Sequence, residues 1–403
     1  MSQPSLRRSV GPVLLTLYGL GNIVGAGIYV LLGEVAGAAG STAPLAFAVA
    51  MIVAALSALT YGELAACYPR ASGEALYLER AFGVPALSLA AGLAIAVAGI
   101  VSAAALARGF AGYFAELTPV PNWGGIAGVV LILAGIAVWG IQQSLRASAV
   151  MTVVQVAGLL MVIAGLGGAL AELPERADEL VPAAPQAWMG LWMGGFLAFY
   201  AFIGFEDMVK VAEEVRRPRR NLPLAVLAAL GGAALLYLVL AAGVVLALEP
   251  ASLAGTEAPL VVIYEATTGR RGMVITLFGL VATLSGILAQ LIMASRLLYG
   301  LAEEGWLPAV LARVSPRTRT PIPATVVVAG LVLILALAFP VVGLAGLTSA
   351  LILAVFAGVN LALWRLRRGD PGWGVGIAPR WAPPIALAAT LLLAAGGVAS
   401  LVR

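Results

Sequence analysis

The sequence predicts an all-α polytopic membrane protein of about eleven transmembrane helices. Three observations carry that expectation. The chain of 403 residues is 62% hydrophobic and only 10% charged, whereas a soluble domain carries about 25% charged residues. Apolar stretches long enough to cross a bilayer follow one another with short polar connections between them. Two of these stretches are interrupted, one by glycines and one by adjacent carboxylates, where a plain lipid-facing helix needs neither.

At about 20 residues per crossing, the spans fall at 12–33, 42–66, 86–114, 124–141, 147–170, 187–208, 223–248, 272–299, 323–340, 343–364 and 381–401. Pro340 and Gly343 separate the ninth from the tenth by a tight turn. The first stretch lacks a clear cleavage site and is expected to remain as a span. Most basic residues, such as Arg7, Arg8, the group from Arg216 to Arg220, and Arg365 to Arg368, fall in alternate connections. The positive-inside rule then places the N-terminus in the cytoplasm, and an odd count places the C-terminus outside. Residues 1–11 are the cytoplasmic lead-in, 171–186 an outer loop, 365–380 an inner loop, and 381–403 the eleventh span with the outside C-terminus. Spans 1–5 (12–170) and 6–10 (187–364) enter the membrane in opposite senses, an inverted repeat if the two sets share a fold. From Pro69 to Pro85, Glu74, Glu79 and Arg80 alternate with Leu76, Tyr77, Leu78 and Phe82, which predicts a short amphipathic helix at the inner surface. The stretch from Glu303 to Pro321 reads the same way.

Composition also excludes. With one cysteine, Cys67, and no histidine, an internal disulfide, a His/Cys zinc site and a Ser-His-Asp triad are ruled out. Neither a metal nor an enzymatic constellation is expected. The net charge of +4 is scattered through the connections, so the partner is membrane lipid and not nucleic acid.

The first interruption is Gly21-Asn22-Ile23-Val24-Gly25-Ala26-Gly27. Glycine disfavours a helix interior by about 1 kcal/mol against alanine. A break here frees N–H groups at the start of the outer half-helix, where the dipole suits a carboxylate. The alternative is a glycine packing face on an unbroken helix. The second is Phe202-Ile203-Gly204-Phe205-Glu206-Asp207, after the aromatic run Phe196 to Tyr200. Free carbonyls before Gly204 would close a half-helix at its C-terminal end, which favours an ammonium group. The two breaks would together suit an α-amino acid zwitterion. A charge near the bilayer centre normally faces protein or water. Glu206 either carries a proton or holds the break together. Asp207, about 100° away on a helix, is expected nearer the inner vestibule beside Lys210 and Glu213.

At these residues the chain resembles the amino acid–polyamine–organocation superfamily of permeases, most of all the bacterial amino acid permeases related to cationic amino acid transporters. Four stretches carry the likeness: Gly21 to Tyr29; Tyr61-Gly62-Glu63-Leu64-Ala65-Ala66 with Tyr68 to Glu74; Phe202 to Phe205 with Ala212 to Pro223; and Ala294 to Pro308 with Arg319 to Pro323. The resemblance implies a LeuT-like fold of two five-helix inverted repeats, 5+5, with spans 1 and 6 unwound at mid-membrane. It implies that backbone N–H groups at Gly25, Ala26 and Gly27 meet the substrate carboxylate. It puts the amine at carbonyls of Ile23, Tyr200, Ala201 and Ile203. It gives Tyr200 the place of a covering aromatic, and Glu206 a position tied to coupling or gating. Proton-linked relatives carry a lysine in span 5 where Gln155 stands here, and glutamine does not titrate. Glu206 therefore becomes the candidate proton carrier. Thr283 and Ser285 could offer hydroxyls at the sodium-like position of related folds, or bond their own helix instead. The family's usual twelfth span is missing.

The expected function is secondary active transport of an amino acid by alternating access in a bacterial cytoplasmic (inner) membrane, proton-coupled or by exchange. No cofactor is expected; the coupling ion is H+ ahead of Na+. A neutral amino acid is favoured over a cationic amino acid or polyamine. A channel or a non-transporting sensor is the alternative of another class, disfavoured because no continuous polar stripe and no large soluble output domain can be read. Either a monomer or a homodimer fits.

Overall fold

The computed structural model describes residues 10–68, 73–139, 145–370 and 372–401. Seventeen α-helices account for most of them, and one isolated bridge, Val10 to Val215, is the sole strand-like pairing among the described residues. The helices are α1 (Pro12–Ile23), α2 (Ala26–Ala39), α3 (Ala43–Cys67), α4 (Gly73–Phe82), α5 (Pro85–Ala115), α6 (Asn122–Trp139), α7 (Leu145–Gly165), α8 (Gly167–Ala171), α9 (Leu173–Arg176), α10 (Pro185–Phe202), α11 (Asp207–Lys210), α12 (Pro218–Ala247), α13 (Pro259–Thr268), α14 (Met273–Glu303), α15 (Ile322–Ala338), α16 (Val341–Gly369) and α17 (Ala382–Leu401). Proline marks many of their starts, as at Pro12, Pro85, Pro185, Pro218 and Pro259, because its missing N–H is unpaired there in any case.

Among the described residues, nine helical stretches are long and apolar enough to cross a membrane, and α1 and α15 are shorter apolar helices. One of the nine, Ala26–Cys67, folds back at Gly40 (φ +60°) and comprises α2 and α3. With α1 and α2 as halves of one span and α10 with α11 as another, the apolar helices of the described residues can be grouped as eleven spans. The chain is a multi-pass, all-α membrane protein.

The helices form two apolar bodies. One joins α1, α2, α3, α10 and α12 through residues such as Phe47, Tyr61, Phe202 and Tyr237, and α16 packs onto it. The other joins α5, α6, α14 and α15 through Ala103, Ala104, Ala105, Ala107, Val130, Leu291 and Val328. Small residues allow this close approach.

Three boundaries differ from expectation. The helix α12 starts five residues earlier than read, at Pro218, and carries Pro223 within its second turn. The stretch from Glu303 to Pro321 forms a single 3-10 turn, Ala309–Ala312, and not an amphipathic helix; Gly305 sits at φ +80° and Pro308 follows it. The ten-residue helix α13 lies between two spans and is too short to register as a crossing. The amphipathic helix foreseen between Pro69 and Pro85 is α4. Pro69 to Ser72 of that motif, with Arg7, Arg8 and Arg403, lie outside the described residues.

Candidate functional site

Span 1 is broken where the sequence placed the break. The helix α1 ends at Ile23, with Val24 N–H still donating to Leu20 O at 2.7 Å. The helix α2 begins at Ala26, and Gly25 precedes it at φ −48°, ψ −157° with no side-chain cap. The N–H groups from Gly25 to Ile28 therefore have no acceptor within the helix. Gly27 faces the other broken span, since a Cβ there would lie 3.1 Å from Ala201 Cα and 3.3 Å from the Tyr200 ring. A side chain cannot enter without moving that backbone.

In the sixth span, α10 ends at Phe202, Ile203 turns to extended geometry, and Gly204 sits at φ +124°. Only glycine adopts that conformation readily. A Cβ on Gly204 would also lie 2.7 Å from Asn22 O, so the two breaks touch directly. Glu206 is buried, and its Oε2 accepts the Gly204 N–H at 2.9 Å. The carboxylate thus holds the turn that follows α10.

The breaks enclose a cavity of about 80 Å³. At roughly 10–15 Å³ per water on this measure, it holds several waters or one small solute. Of the residues singled out from sequence, Ile23, Gly25, Ala26, Gly27, Gln155, Tyr200, Ile203 and Ser285 line it. Tyr200 is buried, and its hydroxyl shares a hydrogen bond with Ser102 Oγ at 2.8 Å, which fixes its ring at the wall. Gln155 is buried, its Oε1 has no partner, and its backbone carbonyl accepts Tyr29 Oη at 2.6 Å.

Three of the singled-out residues stand elsewhere. Ala201 does not line the cavity; its carbonyl accepts the Tyr237 hydroxyl at 3.1 Å. Thr283 is also absent from the lining and donates to Gly279 O at 2.8 Å within its own helix, the usual alternative for a membrane-helix hydroxyl. Glu206 lines a smaller recess beside the main cavity. Asp207 corrects the expectation for its position: it lines both spaces, together with Gln290. Glu206 and Asp207 thus both border the recess, although adjacent helical residues point about 100° apart.

Sequence reading missed Tyr237 and Gln290. The Tyr237 hydroxyl lies 2.7 Å from Ile23 O and 3.1 Å from Ala201 O, so one side chain from α12 meets the ends of both half-helices. Nothing in a lone tyrosine amid Leu-Leu-Tyr-Leu gives that away.

The cavity extends toward the face where α1 begins, past Gly21 and Asn22 and along Ser148 and Met151 in the first turns of α7. Further along α5, Arg108 donates to Ala336 O at 3.0 Å and pairs with Glu257 at 3.4 Å, while Asn122 donates to the other Glu257 oxygen. Tyr113 donates to Tyr29 O at 2.7 Å beneath them.

Paired helix breaks around a shared cavity are the architecture of a membrane permease. A family model described as "Amino acid permease" matches residues 11–402, and the chain belongs to that family. It is 29% identical over 392 residues to the vacuolar cationic amino acid transporter 4 of Arabidopsis thaliana, covering 91% of this chain and 64% of the plant protein. It is 33% identical over 357 residues to an uncharacterised transporter of Mycobacterium tuberculosis, covering 88% and 79%. A branched-chain amino acid permease of Bacillus subtilis is 26% identical over 394 residues, covering 92% and 83%. The chain thus spans somewhat under two thirds of the plant relative's length. These relatives are transporters, not enzymes.

Proposed function

We propose that this protein moves an α-amino acid across a bacterial cytoplasmic membrane by alternating access, as a secondary active transporter. The observation that carries the reading is the cavity held between the two breaks. The first-turn N–H groups at Gly25, Ala26 and Gly27 would take the carboxylate. The carbonyls of Tyr200 and Ile203 would take the amine, and Tyr200 would cover the bound solute. Polarised backbone can hold both charges without burying fixed ones.

Residues 12–170 and 187–364 would form the two inverted repeats, with the N-terminus cytoplasmic, the C-terminus outside, and the cavity open to the cytoplasm. Glu206 would carry the coupled proton, since Gln155 cannot. A sodium site at Thr283 and Ser285 is disfavoured because only Ser285 reaches the cavity. A neutral amino acid is the preferred substrate, and one protomer contains the whole route whether the protein is a monomer or a homodimer. A cationic amino acid is the second reading, favoured by Glu206 and Asp207 at the recess.

The test is uptake by reconstituted vesicles of the Gly27→Leu variant. The added side chain meets the Ala201 backbone, so uptake per folded molecule should fall to background, with the folded fraction measured alongside by size-exclusion chromatography. Uptake at the wild-type rate would reject the span 1 site.

A further inference from the structure

The main cavity has a branch. A recess of about 20 Å³ shares Ser102, Ile203, Asp207 and Gln290 with it and adds Gly99 and Glu206. By the measure used above, it has room for one or two water-sized groups. That is the size of the end of a side chain, not of a whole solute.

Gly99 and Ser102 lie one turn apart on α5, and Gln290 faces them from α14. Gly99 makes the space: a Cβ there would lie 3.0 Å from Gln290 Oε1 and 2.6 Å from Met293 Cε. Gln290 Oε1 is buried and has no hydrogen-bond partner. A buried carbonyl oxygen without a donor lowers stability. Its presence in a cavity wall is accounted for if a ligand supplies the donor. The carboxylates of Glu206 and Asp207 line the same recess and, when ionised, only accept. Ile95, Ala98, Met293 and Ile352 add apolar surface, and Thr348, whose hydroxyl donates to Leu344 O at 3.0 Å, completes the wall.

We propose that Gln290 is a specificity-determining residue, and that the recess receives the end of a short substrate side chain bearing a hydrogen-bond donor, a hydroxyl or a carboxamide. The proposal rests on the amino acid transport reading above. An apolar stem passes Ser102 and Ile203, the donor meets the Gln290 oxygen, and a carboxylate side chain is repelled by the acidic residues of the recess when these are ionised.

The experiment is displacement of tritiated alanine from the purified protein by near-isosteric pairs: threonine against valine, and asparagine against leucine. Glutamate is included as the acidic competitor. The wild type should prefer the donor-bearing member of each pair by about tenfold or more, the scale seen when a site built for a hydrogen bond meets an analogue lacking it. Glutamate should not compete. In Gln290→Leu the preference should collapse to within about twofold, as the polar partner is gone. Gly99→Ala crowds the amide and should reduce the preference in the same direction, which keeps the question open to measurement should Gln290→Leu fail to fold. If the wild type binds alanine but both variants keep its preference unchanged, the role of Gln290 is overturned and the transport reading stands. If no amino acid binds the wild type, both fall.

Discussion

Glu63 and Glu206 are both carboxylates carried into the apolar interior, and the fold holds them in opposite ways. Glu63, near the end of α3, is fully buried. Its two oxygens accept the N–H groups of Val375, Gly376, Ile377 and Ala378 at 2.6–3.1 Å, and Arg367 pairs with it at 3.1 Å. Gly374 and Gly376, at φ +116° and +82°, wind the connection between α16 and α17 around it. A Cβ on Gly374 would collide with Glu63 Oε1. Successive N–H groups in such a turn form a nest for an anion. Glu206 accepts the Gly204 N–H and lines a recess. The difference separates a carboxylate walled in by main-chain donors from one beside open space. The first ties α3 to α16 and to the connection that leads into α17. The second is the group proposed above to carry the coupled proton.

Removing the walled-in group should have the largest effect. Glu63→Ala leaves Arg367 and four N–H groups without their acceptor, and breaking a buried pair in this way costs about 3–5 kcal/mol. The melting temperature in detergent should fall sharply, and limited proteolysis should begin to cut between residues 370 and 380. A variant that melts with the wild type would erase the contrast.

Next is Tyr237→Phe, which strips a donor from the ends of both half-helices. The expected loss is about 1–3 kcal/mol, read by the same melting curve, with weaker amino acid binding because the breaks are no longer held in register. Glu206→Gln should sit below that. The amide can still accept the Gly204 N–H, so stability should change by less than about 1 kcal/mol. Accumulation driven by an imposed pH gradient should disappear while exchange persists. An unchanged response to the gradient would make Glu206 a second structural carboxylate.

The smallest effect is expected at Gln155→Leu. Its Oε1 has no partner now, so melting should barely move. Affinity should drop by about fivefold if the amide meets the ligand, the worth of one neutral hydrogen bond of about 1 kcal/mol. Unchanged affinity by scintillation proximity would leave it a packing residue.

Much of this architecture was legible because hydropathy and glycine placement report directly on the bilayer. The break after Ile23 and the turn at Gly204 both follow from backbone that only glycine suits or that no lipid-facing helix tolerates. What escaped notice depends on contacts distant in sequence. Glu63 was visible within Tyr-Gly-Glu-Leu, but its partners lie 304 to 315 residues away. Tyr237 reaches Ile23 across 214 residues. The Gly-Val-Gly at 374–376 was the one local hint of an anion nest. Asp207 shares the recess with its neighbour Glu206, which a helical angle alone does not anticipate.

The central claim is that main-chain groups at the two breaks hold both ends of a zwitterion. The most direct measurement compares the affinity of the purified protein for a transported amino acid with that for its methyl ester and its N-acetyl derivative. Each derivative removes one charge and leaves the side chain intact. Both should bind about a hundredfold more weakly, at the upper end of what charge-assisted hydrogen bonds contribute. Equal affinity for all three would contradict the account.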